Sequence, residues 1–192
     1  LRGSLHNHST WSDGHEPVEE IVEQARELGL AYWAITDHSK SSFQAHGLEP
    51  ARLREQIGLV RDLNRRLEDE GEEFRLLTGS EVDILGEGRL DFDHELLSEL
   101  DVVVASIHAG FSQNEAEMTK RLIRAAESPD VHMLGHLTGR LLLEREGYKV
   151  NAHAVIDACA ETGTWIELNC NPFRFDMDWR LSYAAEKQKM AI

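Results

Sequence analysis

Short apolar segments recur along the chain, and each is followed by a polar turn and a segment with helical periodicity. The pattern predicts strands at 4–8, 32–36, 74–78, 102–107, 131–134 and 165–168. The run from Lys189 to Ile192 predicts the start of a seventh strand, cut off where the chain stops. Near-continuous aliphatic and β-branched runs of this length are typical of parallel strands buried on both faces.

The segments between the strands are predicted to be helices. In the first, Val18, Ile21, Val22 and Ala25 recur on one helical face, and Gly29 follows its end. Helices are predicted over 17–28, 50–70, 114–127, 151–161 and 178–188. Strands that alternate with helices predict an α/β fold with a parallel sheet, either open or closed into a barrel. Because no internal repeat or low-complexity linker interrupts the pattern, we expect a single domain over residues 1–192.

The charge balance limits the kind of partner that the chain can bind unaided. Acidic residues number 35 against 20 basic ones, a net charge of −15. A domain that binds nucleic acid by its own electrostatics is expected to be basic. This chain would repel a phosphate backbone unless bound metals or a neighbouring domain reversed the local field.

Cysteine content and hydropathy bear on the compartment. The two cysteines, Cys159 and Cys170, are too few for a disulfide scaffold, and we expect both to be free thiols. No apolar run approaches the roughly 20 residues that cross a bilayer, and no secretory signal opens the chain. A cytoplasmic protein without membrane association is therefore expected. Since the chain opens at Leu1 rather than methionine, we also expect a fragment of something longer.

Residues of the types that bind metals, histidine and the carboxylates, lie at the C-terminal ends of five successive predicted strands. In a parallel α/β barrel these ends share one rim, where active sites form, so residues far apart in sequence are expected to converge. The candidate ligands are His6, His8, Asp13, His38, Glu81, His108 and His136.

Their types and spacing favour a metal centre. His6 and His8 are two residues apart on a predicted strand, so both side chains point to one face and a single metal could take both imidazoles. Glu81 could bridge two metals through its two oxygens. Mixed imidazole and carboxylate ligation suits zinc, manganese or iron better than calcium or magnesium.

Each of these residues alone also has an ordinary structural explanation. A buried histidine is usually a hydrogen-bonded core residue, and an aspartate before glycine, as at Asp13, is usually part of a turn. Asp37 could cap a helix or orient a neighbouring ligand, and the second role is favoured. The metal hypothesis prevails because ligand types recur at the same end of five strands.

Taken together, these stretches resemble the motifs of the polymerase and histidinol phosphatase (PHP) family. The likeness runs the length of the chain and is strongest to the C-terminal PHP domain of bacterial family X DNA polymerases. Its motifs lie at 6–14, 35–38, 79–85, 105–111, 135–140 and 167–172.

The resemblance implies a distorted (β/α)7 barrel, here with its last strand truncated. It implies two or three divalent metals (manganese, zinc or iron) and 3′-5′ exonuclease or 3′-end phosphatase activity in DNA repair. It assigns His6, His8 and Glu81 to one metal. It assigns Glu81, His108 and His136 to a second, and Asp13 and His38 to a third.

The chain departs from the family pattern at two places. The family expects an Asp-x-His pair just after strand seven, where this chain stops at Ile192, so two expected ligands are absent from it. Leu137 stands where polymerase-linked domains usually have proline.

The predicted chemistry is in-line attack on a phosphate ester by hydroxide generated at a divalent metal. Arg140 could clamp a phosphate oxygen or form an ordinary surface ion pair, and Lys40 is a further candidate for the clamp. Three hypotheses stay open. They are a nuclease domain that receives DNA 3′ ends through a neighbouring polymerase domain, a stand-alone phosphatase acting on a small molecule such as histidinol phosphate, and a non-catalytic scaffold.

Overall fold

Parallel strands alternate with helices in the part of the chain described by this computed structural model, residues 1–187, with side chains described to residue 183. The elements, in chain order, are β1 (Gly3–Ser4), α1 (Val18–Glu27), β2 (Tyr32–Ile35), a 3-10 turn (Phe43–Ala45), α2 (Pro50–Asp69), β3 (Arg75–Asp83), α3 (His94–Leu97), β4 (Val102–Ser106), α4 (Glu115–Ala126), β5 (Met133–Leu134), α5 (Ala152–Thr162), β6 (Trp165–Ile166) and α6 (Trp179–Lys187).

The chain divides into two compact units. The first, here the N-terminal unit, comprises Leu1–Val82 and Phe92–Val103. The second, here the C-terminal unit, comprises Asp83–Asp91 and the chain from Val104 onward. The prediction of a single domain over 1–192 stays a prediction.

In the N-terminal unit, β1, β2 and β3 are parallel and pair in chain order. Gly3 pairs with Tyr32, and Tyr32 pairs with Arg75. The apolar faces of α1 and α2 cover this sheet because their hydrophobic residues recur at helical spacing. The resulting core contains Val18, Ile21, Val22, Ala25, Ile35, Val60, Leu63, Leu67, Phe74 and Leu76.

In the C-terminal unit, β4, β5 and β6 are also parallel and pair in chain order. Val104 pairs with Met133, which pairs in turn with Trp165. Helices α4 and α5 pack over these strands and bury their apolar faces in a second core. Its strand and helix members include Ala105, Leu134, Ile166, Met118, Leu122, Val155 and Ile156.

The helix boundaries follow local signals. Pro50 opens α2, where its missing N–H costs nothing. Asn114 forms a capping box with Glu117 at the start of α4, and the Asn151 side chain caps α5. Gly163 ends α5 with a positive φ of 80°, a conformation that glycine adopts without strain.

Each of the six strands predicted within the described residues differs from the observed strand in its bounds, and two of the differences concern candidate ligands. The first strand, predicted over 4–8, ends at Ser4. Beyond it, the side-chain amide of Asn7 donates to the Ala34 carbonyl, and the backbone N–H and C=O of Asn7 are hydrogen-bonded to the Thr36 hydroxyl. Side-chain hydrogen bonds therefore replace some of the backbone bonds between the two strands. His6 and His8 therefore follow a strand instead of lying on one.

Strand β3, predicted to end at Thr78, continues to Asp83. Gly79 allows the strand to continue because a larger residue would not fit at this position. A Cβ there would lie 2.8 Å from the Val102 carbonyl oxygen and 2.8 Å from the Thr36 methyl group. Glu81 consequently lies inside a strand, not in a loop after it.

The remaining sequence expectations have mixed outcomes. Helix α3 and the 3-10 turn were not predicted. The proposed seventh strand at Lys189–Ile192 and the end of the last helix lie outside the described residues. Both cysteines are free thiols, as expected, with Cys159 buried and Cys170 exposed. Among residues 1–187, the helices are too short or too polar to span a bilayer.

Candidate metal centre

The carboxylate of Glu81 lies among three imidazoles in the N-terminal unit. It is 1% exposed. Its Oε1 lies 3.3 Å from His6 Nε2, and its Oε2 lies 3.5 Å from His8 Nε2 and 3.1 Å from His38 Nδ1. The two oxygens thus face different histidines, as a carboxylate shared between ligand groups would. His6, His8 and Glu81 each offer an atom within 4.8 Å of the others, close enough to hold one ion.

A second ligand group adjoins the first. Asp13 Oδ1 lies 3.9 Å from His8 Nδ1, and Asp13 Oδ2 lies 3.6 Å from His38 Nε2. The rings of His8 and His38 are stacked with centroids 4.4 Å apart. His8, Asp13 and His38 also satisfy the 4.8 Å condition for a common ion. His8 joins Asp13 and His38 here, whereas the family resemblance assigned only the latter two.

The donor set fits a divalent metal. Burial lowers the pKa of His8 to about 4, with His38 and His6 acting in the same direction and Glu81 and Asp13 opposing it. The imidazole is then neutral at pH 7 and keeps a lone pair for a cation. Its Nδ1 is buried and has no hydrogen-bond partner among the described residues. Three imidazoles around a buried carboxylate suit zinc, manganese or iron.

In the C-terminal unit, His108 and His136 lie together. Their ring centroids are 5.3 Å apart. His108 Nδ1 is hydrogen-bonded to the buried carboxylate of Asp83, and the backbone N–H of His136 donates to Glu167 at 2.7 Å. Each of the two histidines is therefore hydrogen-bonded to a carboxylate, His108 through its ring and His136 through its backbone. The grouping of His108 and His136 with Glu81 around a second metal stays a prediction.

The two candidate phosphate-binding residues have different surroundings. Arg140 donates from Nε to the Arg174 carbonyl at 3.0 Å, and its Nη1 lies 3.9 Å from Asp178 Oδ2. This is the ion-paired setting that the sequence left open as its alternative. Lys40 is exposed. A role for either in binding phosphate stays a prediction.

Several polar residues next to the candidate ligands have no role that was predicted from the sequence. Asp83 lies two residues after Glu81 on β3, a spacing that places both on one face of a strand, and this could have singled it out. Glu167 lies in a family motif without an assigned function. The donors to Asp37, which are Ser9, Ser12 and Gln56, carry no signal that sequence alone could reveal.

Comparison with known proteins gives consistent relatives. The chain is 43% identical over 192 residues to the "DNA polymerase/3′-5′ exonuclease PolX" of Bacillus subtilis (strain 168), matching 100% of this chain and 33% of that protein. It is 31% identical over 181 residues to a "probable phosphatase" of Caldanaerobacter subterraneus subsp. tengcongensis, matching 90% of this chain and 65% of that one. The chain thus spans about a third and just under two thirds of these relatives.

A solved structure and a family model agree with these relatives. The crystal structure of a candidate histidinol phosphatase from Listeria monocytogenes superposes with a TM-score of 0.75 at 14% identity, covering 98% of this chain and 92% of that one. This likeness confirms the predicted α/β fold of PHP type. The family model described as the PHP domain matches residues 4–171. The chain therefore belongs to the PHP family, as its motifs predicted.

Proposed function

We propose that this chain is the phosphoesterase domain of a family X DNA polymerase and hydrolyses phosphate esters at DNA 3′ ends. The observation that carries the proposal is the buried carboxylate of Glu81 with imidazole nitrogens of His6, His8 and His38 within 3.5 Å. The identity to the PolX protein, which extends over the whole chain, supports DNA as the substrate. A cytoplasmic role in DNA repair accompanies this proposal.

The same residues divide into ligand groups for two or three divalent ions. His6, His8 and Glu81 would hold one, and His8, Asp13 and His38 another. His108 and His136 would contribute to a further ion. Manganese, zinc or iron in these positions would polarise phosphoryl oxygens and lower the pKa of water towards about 7.

The chain's own groups would orient the ester and manage charge. Glu81, kept from water at 1% exposure, fixes the spacing of the imidazoles on both sides of it. Arg140 would hold a non-bridging phosphate oxygen, which requires its guanidinium to exchange the Arg174 carbonyl for substrate. Lys40, exposed at the surface, would attract the phosphate as a mobile positive charge.

The acidic surface implies that DNA is delivered by another part of the protein. With a net charge of −15, the chain has little electrostatic attraction for a polyanion. A neighbouring polymerase domain would supply the positive surface that guides the 3′ end to the site.

The proposal is tested by the release of nucleotide or phosphate from 3′-recessed DNA by metal-stripped protein given back Mn²⁺. His8→Ala and Glu81→Gln are expected to lower the rate by at least about 100-fold, since loss of an outer partner alone costs roughly 10- to 100-fold. His153→Ala, an exposed histidine on α5, is the matched control and should behave like wild type. Equal rates for wild type and His8→Ala would contradict the proposal.

A small-molecule phosphatase is the second candidate, favoured by the same net charge, because a compact phosphomonoester needs no basic groove. Histidinol phosphate assayed beside the DNA separates the two. Hydrolysis of histidinol phosphate without DNA cleavage would favour this candidate. A non-catalytic scaffold, the third hypothesis, predicts turnover of neither substrate and no Mn²⁺ binding by wild type.

A further inference from the structure

The side chain of Asp37 is fully buried and accepts four hydrogen bonds. Its exposure is 0%. Oδ1 accepts from the Ser9 N–H at 2.8 Å and the Ser12 hydroxyl at 2.5 Å. Oδ2 accepts from the Ser9 hydroxyl at 2.6 Å and the Gln56 amide at 2.6 Å. Since a carboxylate has about four lone-pair sites, these donors occupy it fully, and Asp37 is not arranged as a metal ligand.

Two of its partners, Ser9 and Ser12, lie before Asp13 in the same loop. Within this loop the N–H groups of Ser12 and Gly14 both donate to the Ser9 carbonyl, at 3.1 and 2.9 Å. A Cβ on Gly14 would lie 2.4 Å from the His8 carbonyl oxygen, so the turn is packed directly onto the backbone of His8. Ser9 and Ser12 therefore hold the loop before Asp13, and the close packing of Gly14 on His8 holds it after Asp13.

Among the described residues, the side chain of Asp13 is only weakly supported apart from its approach to His8 and His38. Its side chain is 46% exposed, and its contact with the Ser12 hydroxyl is long, at 3.5 Å. Its approach to His8 and His38 is therefore set by the path of the loop backbone.

Asp37 also connects the loop to α2 and β3 of the N-terminal unit. Gln56, 2% exposed, lies on α2, whose apolar face is packed into the core. The backbone carbonyl of Asp37 accepts from the Ser80 hydroxyl at 3.0 Å and from the Glu81 N–H at 3.1 Å. One residue thus joins the loop, a long helix and the strand that carries Glu81.

We infer that Asp37 is a positioning residue that orders the loop from Ser9 to Gly14 and so brings Asp13 to His8 and His38. The inference rests on the proposed function for its consequence, which is metal affinity, but not for its structural claim, which is loop order. Asp37 would thus support the ligand group of His8, Asp13 and His38 without itself binding the metal.

The test compares Asp37→Asn with wild type in two measurements on metal-stripped protein. Hydrogen exchange of the peptide that covers residues 9–14 reports loop order, and titration with Mn²⁺, followed by the electron paramagnetic resonance of the free ion, reports affinity. We expect faster exchange in that peptide and a roughly 10- to 100-fold loss of affinity at the weakest detected site, the scale for an outer partner of a ligand. Ser12→Ala, a milder change, should shift both quantities less and in the same direction.

Asp101→Asn provides the matched control. Asp101 is a carboxylate of the same unit that accepts two hydrogen bonds from Thr78, both at 2.9 Å. This variant should lower stability while leaving exchange at 9–14 and Mn²⁺ affinity unchanged. A merely structural role for Asp37 would make Asp37→Asn behave in the same way.

The outcomes separate the two proposals. Unchanged exchange at 9–14 in both Asp37→Asn and Ser12→Ala overturns the positioning role, and so does a loosened loop with unchanged affinity. A wild-type chain that binds no Mn²⁺ overturns the metal hypothesis instead, and the exchange data still decide whether Asp37 orders the loop.

Discussion

The hydrogen bond between Asp83 and His108 fixes which nitrogen of the ring is available. An ionised carboxylate only accepts hydrogen bonds, so Nδ1 of His108 must carry the proton. The lone pair then resides on Nε2, on the far side of the ring. Carboxylates that set a histidine tautomer in this way are common partners of metal ligands.

Replacing Asp83 by asparagine should therefore disturb His108 as a ligand. The amide N–H of the new side chain can donate to Nδ1 and favour the tautomer that protonates Nε2. We expect a roughly 10- to 100-fold loss in affinity for Mn²⁺, measured by isothermal titration calorimetry of metal-stripped protein. The Asp101→Asn variant again serves as the control, and equal affinities in the two variants would count against a tautomer-setting role.

At the scale of single residues, the sequence predicted the ligand types but not what holds them. His6, His8, Asp13, His38 and Glu81 belong to recognisable motifs, and the structure brings these five together. The serines and the glutamine around Asp37 are as much as 28 residues away in sequence. Such contacts are created by the tertiary structure, and no local pattern announces them.

At the scale of elements, helices were easier to predict than strands. Helix ends depend on local groups such as Pro50, Asn114 and Gly163, which act within one turn. Strand ends depend on a partner elsewhere in the chain. Gly79 and Ser80 read as turn residues, yet β3 continues through them because Gly79 admits the neighbouring backbone and Ser80 bonds to Asp37.

The capping box of α4 gives a prediction about stability. Asn114 Oδ1 accepts from the Glu117 N–H at 3.0 Å, and the Glu117 carboxylate accepts from the Asn114 N–H at 3.2 Å. Asn114→Ala removes the first bond and should lower the free energy of unfolding by about 1 kcal/mol, measured by urea denaturation. Lys120→Ala, at an exposed site of the same helix, should be nearly neutral. Losses of the same size at both positions would refute a specific role for the cap.

At the scale of the whole molecule, the net charge of −15 makes a prediction about salt. A basic nuclease that contacts several phosphates loses roughly 10³- to 10⁵-fold in DNA affinity between 50 and 200 mM salt. For this chain we expect weak binding of labelled single-stranded DNA, with an affinity that stays constant or rises between 50 and 200 mM salt. Fluorescence anisotropy in EDTA measures it. A steep loss of affinity with salt would instead reveal a basic groove within the chain.

The position of Glu81 inside a continuous strand has a consequence for changes in chain length. Side chains along a strand alternate between its faces, so one residue inserted shortly before Glu81 would shift Glu81 into the position of Val82, on the opposite face. The carboxylate would then enter the buried position of Val82, which is 0% exposed, and would turn away from the imidazoles. The turn that follows β3 leaves more room at Gly86, where a Cβ meets open space. Insertions and deletions should accordingly abolish the site when they fall in the strand and be tolerated at the turn.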